Sequence, residues 1–159
     1  MKITILAVGN LKERHWREAA LEYVKRLAPY CRLEIIEVAD EGFAAGMPAA
    51  EEEKIKRLEW NRAARRLREG TYLIALDARG EQVSSEELSA QIHRLGVTGR
   101  SHITFVIGGA LGLPPEALER AHRRLSLSRL TFPHRLVRII LLEQLYRAYK
   151  IARGEPYHK

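Results

Sequence analysis

Predominantly apolar runs recur along the chain and predict the strands of a buried sheet. Each run is short and lacks the polar alternation that marks a strand with one solvated face. Solidly apolar strands are typical of parallel sheets covered on both faces. The predicted strands are Lys2–Val8, Leu33–Val38, Thr71–Leu76, His102–Ile107 and Leu125–Leu127.

Segments with helical periodicity separate these runs, because their apolar residues recur every three or four positions. Ser84 and Glu87 form the capping-box pattern that begins one of the helices. The predicted helices are His15–Leu27, Glu51–Glu69, Ser84 to about Leu95, Pro115 to about Arg124 and His134–Ala152. Asp77–Gly80 is predicted to be a turn. The alternation predicts an α/β fold, a five-stranded parallel sheet with helices on both faces.

Three loops at the carboxyl ends of the strands are candidate binding loops, since open α/β sheets bind ligands at that edge. They follow Leu76, Ile107 and Leu127. The loop Ile107–Leu113 is rich in glycine, which permits positive φ and close approach of a ligand to the backbone. The alternative is a tight strand-to-helix turn that binds nothing.

Small hydroxyl side chains follow the last predicted strand. Ser126, Ser128 and Thr131 stand before Pro133, and backbone amides in such a loop are suited to an adenine edge. The alternative is a cluster that caps the last helix. We expect this loop and the glycine-rich loop to form one cofactor pocket.

The predicted helix His134–Ala152 is apolar nearly all round. Such a helix must be buried on two sides, and in a single sheet domain the second side is naturally another subunit. The sequence therefore predicts a homodimer. On the remaining polar stripe, Glu143 and Arg147 are spaced for a simple i,i+4 salt bridge. The functional alternative is an arginine that contacts phosphate or a base edge.

The tail Gly154–Lys159 combines an aromatic ring, an imidazole and an ammonium group. Tyr157 is suited to stacking on a base, and His158 to handling a proton near neutral pH. The alternative is an ordinary frayed terminus.

The composition is that of a single globular domain with a basic surface. The 159 residues are 46% hydrophobic, and 27 basic against 20 acidic residues give a net charge of +7. This charge favours a polyanionic partner, although arginine-rich composition also follows from genome base content. The arginines from Arg62 to Arg68 are either a patch that faces RNA or a complement to the helix dipole.

Several common chemistries are absent. Cys31 is the only cysteine, which excludes an intrachain disulfide or a cysteine-based zinc site. The fingerprints of Rossmann dehydrogenases, P-loop enzymes, zinc proteases and serine hydrolases are missing. No apolar run reaches the length of a membrane span or a signal peptide. We expect a cytoplasmic protein.

Three stretches together resemble the ribosomal RNA large subunit methyltransferase H family, a minimal branch of the SPOUT superfamily. They are FVIGGALGL, LSLSRLTFPHRLVRIILLEQLYRAYKI and the closing GEPYHK, and the similarity extends from MKITILAVG to the final lysine. It is the combination of these stretches that is specific. The departures from the family pattern are minor, such as Leu130 where methionine or another apolar residue is expected.

The resemblance implies a trefoil knot, made by a C-terminal segment that threads through a loop, and a homodimer that binds S-adenosylmethionine in the knot. It also implies methylation of N3 of a pseudouridine in 23S ribosomal RNA, on the assembled ribosome. By motif match, the cofactor contacts fall on Leu76, Gly108, Leu127, Ser128, Arg129, Leu130, Thr131 and Phe132.

The implied reaction requires the N3 proton to leave, so a base or a group that stabilises the developing anion is expected. The candidates are His158, Tyr157, Arg147 and His134. Arg147 is better suited to holding charge, because a guanidinium stays protonated. We expect no metal and no membrane partner. The rival functions are a non-catalytic ribosome-binding factor of the same fold and a nucleotide-binding oxidoreductase, which the missing glycine fingerprint disfavours.

Overall fold

The computed structural model describes residues 1–159 and contains a sheet of five parallel strands, as the sequence predicts. The strands are β1 (Lys2–Val8), β2 (Arg32–Val38), β3 (Tyr72–Gln82), β4 (His102–Ile107) and β5 (Arg123–Ser126). Their order across the sheet is β2-β1-β4-β3-β5. The apolar runs of β1 and β4 are explained by this order, because both strands are interior and almost entirely buried.

Five helices cover the two faces of the sheet. They are α1 (Arg14–Leu27), α2 (Ala49–Ala64), α3 (Ser85–Val97), α4 (Pro115–Arg120) and α5 (His134–Ala152). Helices α1, α3 and α5 share the larger apolar cluster, which contains Leu27, Leu88 and Leu141. Helices α2 and α4 share the smaller cluster with Trp60 and Ala117. Helices on both faces are therefore confirmed.

Helix α5 packs against both α1 and α3. Leu141, Leu142 and Leu145 are fully buried, whereas Ile139 and Ile140 stay partly accessible. The chain itself thus covers much of the apolar surface from which the sequence predicts a homodimer. The homodimer stays a prediction. Only the partly accessible apolar residues of α5 support it, because the buried ones are already covered within the chain.

The predicted capping box at the start of α3 is confirmed. The Ser84 hydroxyl accepts a hydrogen bond from the Glu87 backbone N–H at 3.1 Å. The Glu87 carboxylate accepts one from the Ser84 backbone N–H at 2.7 Å. This pair fixes the point at which the chain leaves β3 and begins the helix.

The predicted turn Asp77–Gly80 is wrong as an end to the third strand, because β3 continues to Gln82 through an irregularity. Its pairing with β5 shifts register between Leu76 and Glu81. A Cβ at Gly80 would lie 2.7 Å from the backbone carbon of Arg124, so only glycine allows the two strands to approach this closely.

Three other predicted boundaries are wrong. Helix α4 ends at Arg120 and β5 begins at Arg123, earlier than the predicted Leu125, because edge pairing with β3 recruits arginines that an apolar pattern does not reveal. Helix α2 ends at Ala64, not Glu69. Beyond it, the N–H of Arg66 bonds the carbonyl of Ala63, three residues earlier, so that the chain tightens into turns. Among the helices, none combines the length and apolar character needed to span a membrane.

Candidate functional site

One cavity of about 1160 Å³ opens at the carboxyl ends of β4 and β5 and beside the irregularity of β3, where the three predicted binding segments meet. The glycine-rich loop after β4 and the hydroxyl-bearing turn after β5 both line it. All of the predicted cofactor residues except Arg129 are on its wall, namely Leu76, Gly108, Leu127, Ser128, Leu130, Thr131 and Phe132.

The glycine-rich loop is tightly folded on itself. The Gly112 N–H donates a hydrogen bond to the Gly109 carbonyl at 3.0 Å, and Gly112 has a φ of +86°. A Cβ at Gly108 would lie 2.5 Å from the carbonyl carbon of Gly112. The glycines therefore let the backbone form a thin wall, which a ligand in the cavity can approach closely.

Serine hydroxyls hold the turn after β5 in place. The Ser126 hydroxyl lies 3.0 Å from the carbonyl oxygens of both Ala78 and Ser128, so its proton can serve either. The Ser128 hydroxyl accepts a hydrogen bond from the Leu130 N–H at 2.9 Å. No side chain caps the start of α5, which excludes the capping alternative. Ser126 instead connects this turn to Ala78, in the irregularity of β3.

Basic side chains that the sequence did not single out also line the cavity. They are Lys56 from α2, Arg79 from β3 and Arg124 from β5. Glu53 and Asp77 line the same cavity and Lys56 pairs with Glu53, so the charged part of the wall is mixed in sign. Nothing in the helical pattern around Lys56 distinguishes it from an ordinary surface lysine, because only the fold brings α2 to this edge. Arg79 does have a sequence signal, because it lies three residues after Leu76, in a segment predicted to be a binding loop.

His134, the first residue of α5, lines the cavity. Burial lowers the pKa of its imidazole, and the positive charge of the neighbouring Arg135 lowers it further. Asp40 acts in the opposite direction, as the smaller effect. The imidazole is thus kept neutral near pH 7, with a ring nitrogen free to accept a proton.

The other three predicted catalytic residues lie together, Arg147 on α5 and Tyr157 and His158 beside it, but none of them lines the cavity of the same chain. The Arg147 guanidinium donates to Oε1 of Glu143 at 2.6 Å and stacks 4.7 Å from the centre of the Tyr157 ring. The His158 ring contacts Arg147 at 3.2 Å and Glu86 of α3 at 2.7 Å. The tail therefore contacts α5 and α3. It is not the frayed terminus that the alternative interpretation expects.

Tyr157 is a neutral hydrogen-bond donor at physiological pH. Burial, together with the hydrogen bond to Glu143, raises the pKa of its phenol to about 12. A phenol of that pKa is a poor base at neutral pH, although it can donate to a developing anion. No group of three or more histidine, cysteine, aspartate or glutamate side chains is placed to hold a metal ion.

Comparison with known proteins shows which family the chain matches. The family described as predicted SPOUT methyltransferase matches residues 1–158. Ribosomal RNA large subunit methyltransferase H of Pelotomaculum thermopropionicum is 58% identical over 156 residues, which are 98% of this chain and 98% of that protein. The protein of the same name from Acetivibrio thermocellus is 53% identical over 159 residues, which cover 100% of both chains.

Solved structures agree at the level of the fold. TrmJ from Z. mobilis ZM4 superposes with a TM-score of 0.57 at 13% identity, covering 100% of this chain and 73% of that one. The tRNA (m1G37) methyltransferase from Aquifex aeolicus gives a TM-score of 0.54 at 12% identity, covering 100% of this chain and 75% of that one. The chain therefore belongs to the SPOUT methyltransferases, and among them to the ribosomal RNA large subunit methyltransferase H family.

Proposed function

We propose that this protein is an S-adenosylmethionine-dependent methyltransferase that methylates N3 of a pseudouridine in 23S ribosomal RNA. The observation that carries the proposal is its 58% identity, over 98% of the chain, to a ribosomal RNA large subunit methyltransferase. The substrate is the assembled ribosome in the cytoplasm. The net charge of +7 supports an RNA substrate, because basic side chains gain free energy by displacing counterions from phosphates.

The cavity residues fit S-adenosylmethionine. Gly108 lines the cavity, and its lack of a Cβ lets the loop pack on the backbone of Gly112 and so keep its folded shape beside the ligand. Leu76, Leu127 and Phe132 supply apolar surface against which an adenosyl group packs. When bound, the cofactor supplies a methyl group on a positively charged sulfur that is already electrophilic. The protein's own contribution is then to align the two reactants and to exclude water.

The chain must also handle the N3 proton of the target base. His134 is the candidate base that one chain places in the cavity; its lowered pKa keeps the imidazole in the neutral form that can accept a proton, and at the same time makes it a weaker base. His158 is the corresponding candidate from the tail. Tyr157 and Arg147 are donors, and we assign them to stabilising the negative charge that develops on the pyrimidine ring as the proton leaves.

A homodimer reconciles these assignments with the position of the tail. Within one chain, Arg147, Tyr157 and His158 contact α5 and α3 and do not line the cavity. We therefore propose that each active site combines the cavity of one subunit with the tail of the other. The partly accessible apolar residues of α5 support this interface.

The same proposal includes the trefoil knot of the SPOUT fold. Helices α4 and α5, which flank β5, lie on opposite faces of the sheet. The chain after β5 therefore leads to the face of the sheet opposite α4, and it does so at the edge where the β3 irregularity and the loop after β4 also lie. The close contact between Gly80 and Arg124 brings β5 against the β3 irregularity at this edge. We propose that the C-terminal segment threads through this region.

The proposal is tested with ribosomes from cells that lack the protein. They are incubated with the purified protein and S-adenosylmethionine carrying a labelled methyl group, and the 23S RNA is digested and mapped by mass spectrometry. The expected result is one added methyl group on a single pseudouridine, at N3. Ribosome binding without methyl transfer would overturn the proposal in favour of a non-catalytic factor of the same fold.

A further inference from the structure

A buried glutamate lies directly behind the glycine-rich loop. Glu59 of α2 is only 3% exposed. A Cβ at Gly109 would lie 3.2 Å from each of its two carboxylate oxygens, so the carboxylate packs against the bare backbone of that glycine. The loop is thus a thin wall with the cavity on one side and Glu59 against its backbone. None of the roles assigned above uses this side chain.

The two oxygens of Glu59 have different surroundings. Oε2 accepts a hydrogen bond from the Glu41 backbone N–H at 2.9 Å, in the loop after β2. Oε1 is buried and has no hydrogen-bond partner. A buried oxygen of this kind is costly, because it has lost its water without gaining a donor. Such a group calls for a specific explanation.

The charges around Glu59 come from two elements. Asp40 and Glu41 belong to the loop after β2, and Arg62 lies one turn further along α2. Burial raises the pKa of the Glu59 carboxyl, and the charges of Asp40 and Glu41 raise it further. The hydrogen bond from the Glu41 N–H and the charge of Arg62 oppose this rise. The loop Ile107–Leu113 itself carries no charged residue.

We propose that Glu59 is a positioning residue for the glycine-rich loop, whose free oxygen Oε1 accepts a backbone N–H of the loop when the loop closes on its cofactor. This inference rests on the proposed function, since it takes S-adenosylmethionine as the ligand. The loop has donors to offer, because the N–H groups of Ala110 and Leu111 donate no hydrogen bond within the chain. Oε2 keeps its bond to Glu41, so a single carboxylate connects two loops.

The variant Glu59→Gln tests the proposal with almost no change of shape. Its amide oxygen still serves the Glu41 N–H, but its NH₂ group offers the loop a donor in place of an acceptor. We expect S-adenosylmethionine to bind about tenfold more weakly by calorimetry, the effect of one lost hydrogen bond. The thermal midpoint of unfolding should not fall, because the variant removes an uncompensated buried charge. The matched control is Glu51→Gln, an exposed residue of the same helix, which should bind as the wild type does.

Two further measurements separate positioning from a merely structural role. Protonation removes Oε1 as an acceptor, so wild-type affinity should fall as the pH drops through the raised pKa of Glu59, with a smaller fall in Glu59→Gln. His134 is present in both proteins, so the difference between their profiles isolates Glu59. Hydrogen exchange in residues 107–113 should be slowed by the cofactor in the wild type and much less in the variant.

The outcomes distinguish this inference from the proposed function. Equal affinity and equal pH profiles for the wild type and Glu59→Gln would overturn the inference, while the proposed function would stand. Failure of the wild type to bind S-adenosylmethionine would instead overturn the proposed function. If Glu59→Gln does not fold, the wild type still decides, because affinity that does not weaken in acid overturns the inference.

Discussion

The Tyr157 hydroxyl donates a hydrogen bond to Oε1 of Glu143 at 3.0 Å, across 14 positions of the chain. The same carboxylate oxygen accepts hydrogen bonds from the Arg147 guanidinium at 3.0 and 2.6 Å. One acid on α5 therefore gathers a phenol and a guanidinium from two parts of the chain. The tail thus contacts the polar stripe of α5 that contains Glu143 and Arg147.

Removing Tyr157–Lys159 should abolish methylation and leave cofactor binding intact. The tail does not line the cavity of its own chain, whereas the proposed transfer needs its donors and its imidazole at the target base. Loss of a proton-handling group reduces turnover by about 100-fold or more. A methyl-transfer assay with ribosomes measures the loss of activity, and calorimetry with S-adenosylmethionine measures cofactor binding. The control deletes Lys159 alone, and a truncated protein with full activity would refute the role of the tail.

Gly108→Ala should weaken cofactor binding. The new Cβ meets the Gly112 backbone at 2.5 Å, where no flexible side chain can move aside. Overpacking of this kind costs about 1–3 kcal/mol, which corresponds to about 5- to 150-fold in affinity if the whole cost falls on the cofactor-bound loop. Calorimetry measures the change. Gly42→Ala is the control, since a Cβ there meets nothing within 4 Å. Equal binding by the two variants would mean that the loop is not the cofactor wall.

Arg138→Ala should lower the free energy of unfolding by about 2–4 kcal/mol. Its side chain is 5% exposed and donates to Glu37 of β2 at 2.6 Å. It also donates to the Gly9 carbonyl at 3.1 Å. The variant leaves this carbonyl, just after β1, without its hydrogen-bond donor. Urea unfolding gives the value. For the exposed pair Arg14–Glu18, Arg14→Ala should cost only about 0.5 kcal/mol. A similar small loss at Arg138 would contradict this account.

His134 should make the protein less stable in acid. Its pKa is lower in the folded state than its ordinary value of 6.5, because burial disfavours the imidazolium. The unfolded chain then binds more protons, so the contribution is complete above pH 6.5 and is lost as the pH falls through the folded pKa. His134→Gln should show less pH dependence in this window. Urea midpoints at several pH values measure it, and parallel curves for both proteins would count against a half-buried, neutral His134.

The parts of the fold with strong local signals could be predicted from the sequence. Lys2–Val8 is apolar because both faces of β1 are covered. The capping box at Ser84 needs only two side chains three positions apart. The glycine-rich loop was detectable because a close backbone approach excludes a Cβ at Gly108.

Features that depend on distant contacts could not be predicted. The start of β5 at Arg123 follows from hydrogen bonding to β3, and its sequence carries no apolar signal there. Lys56 enters the cavity wall only because α2 packs beside the glycine-rich loop. Glu59 resembles any other helical glutamate until the fold buries it behind Gly109.

A crystal structure of the protein with S-adenosylmethionine tests the central claim most directly. We predict that the adenosyl group lies between the glycine-rich loop at Gly108 and the turn from Leu127 to Phe132. An adenosyl group bound elsewhere on the protein would contradict the account.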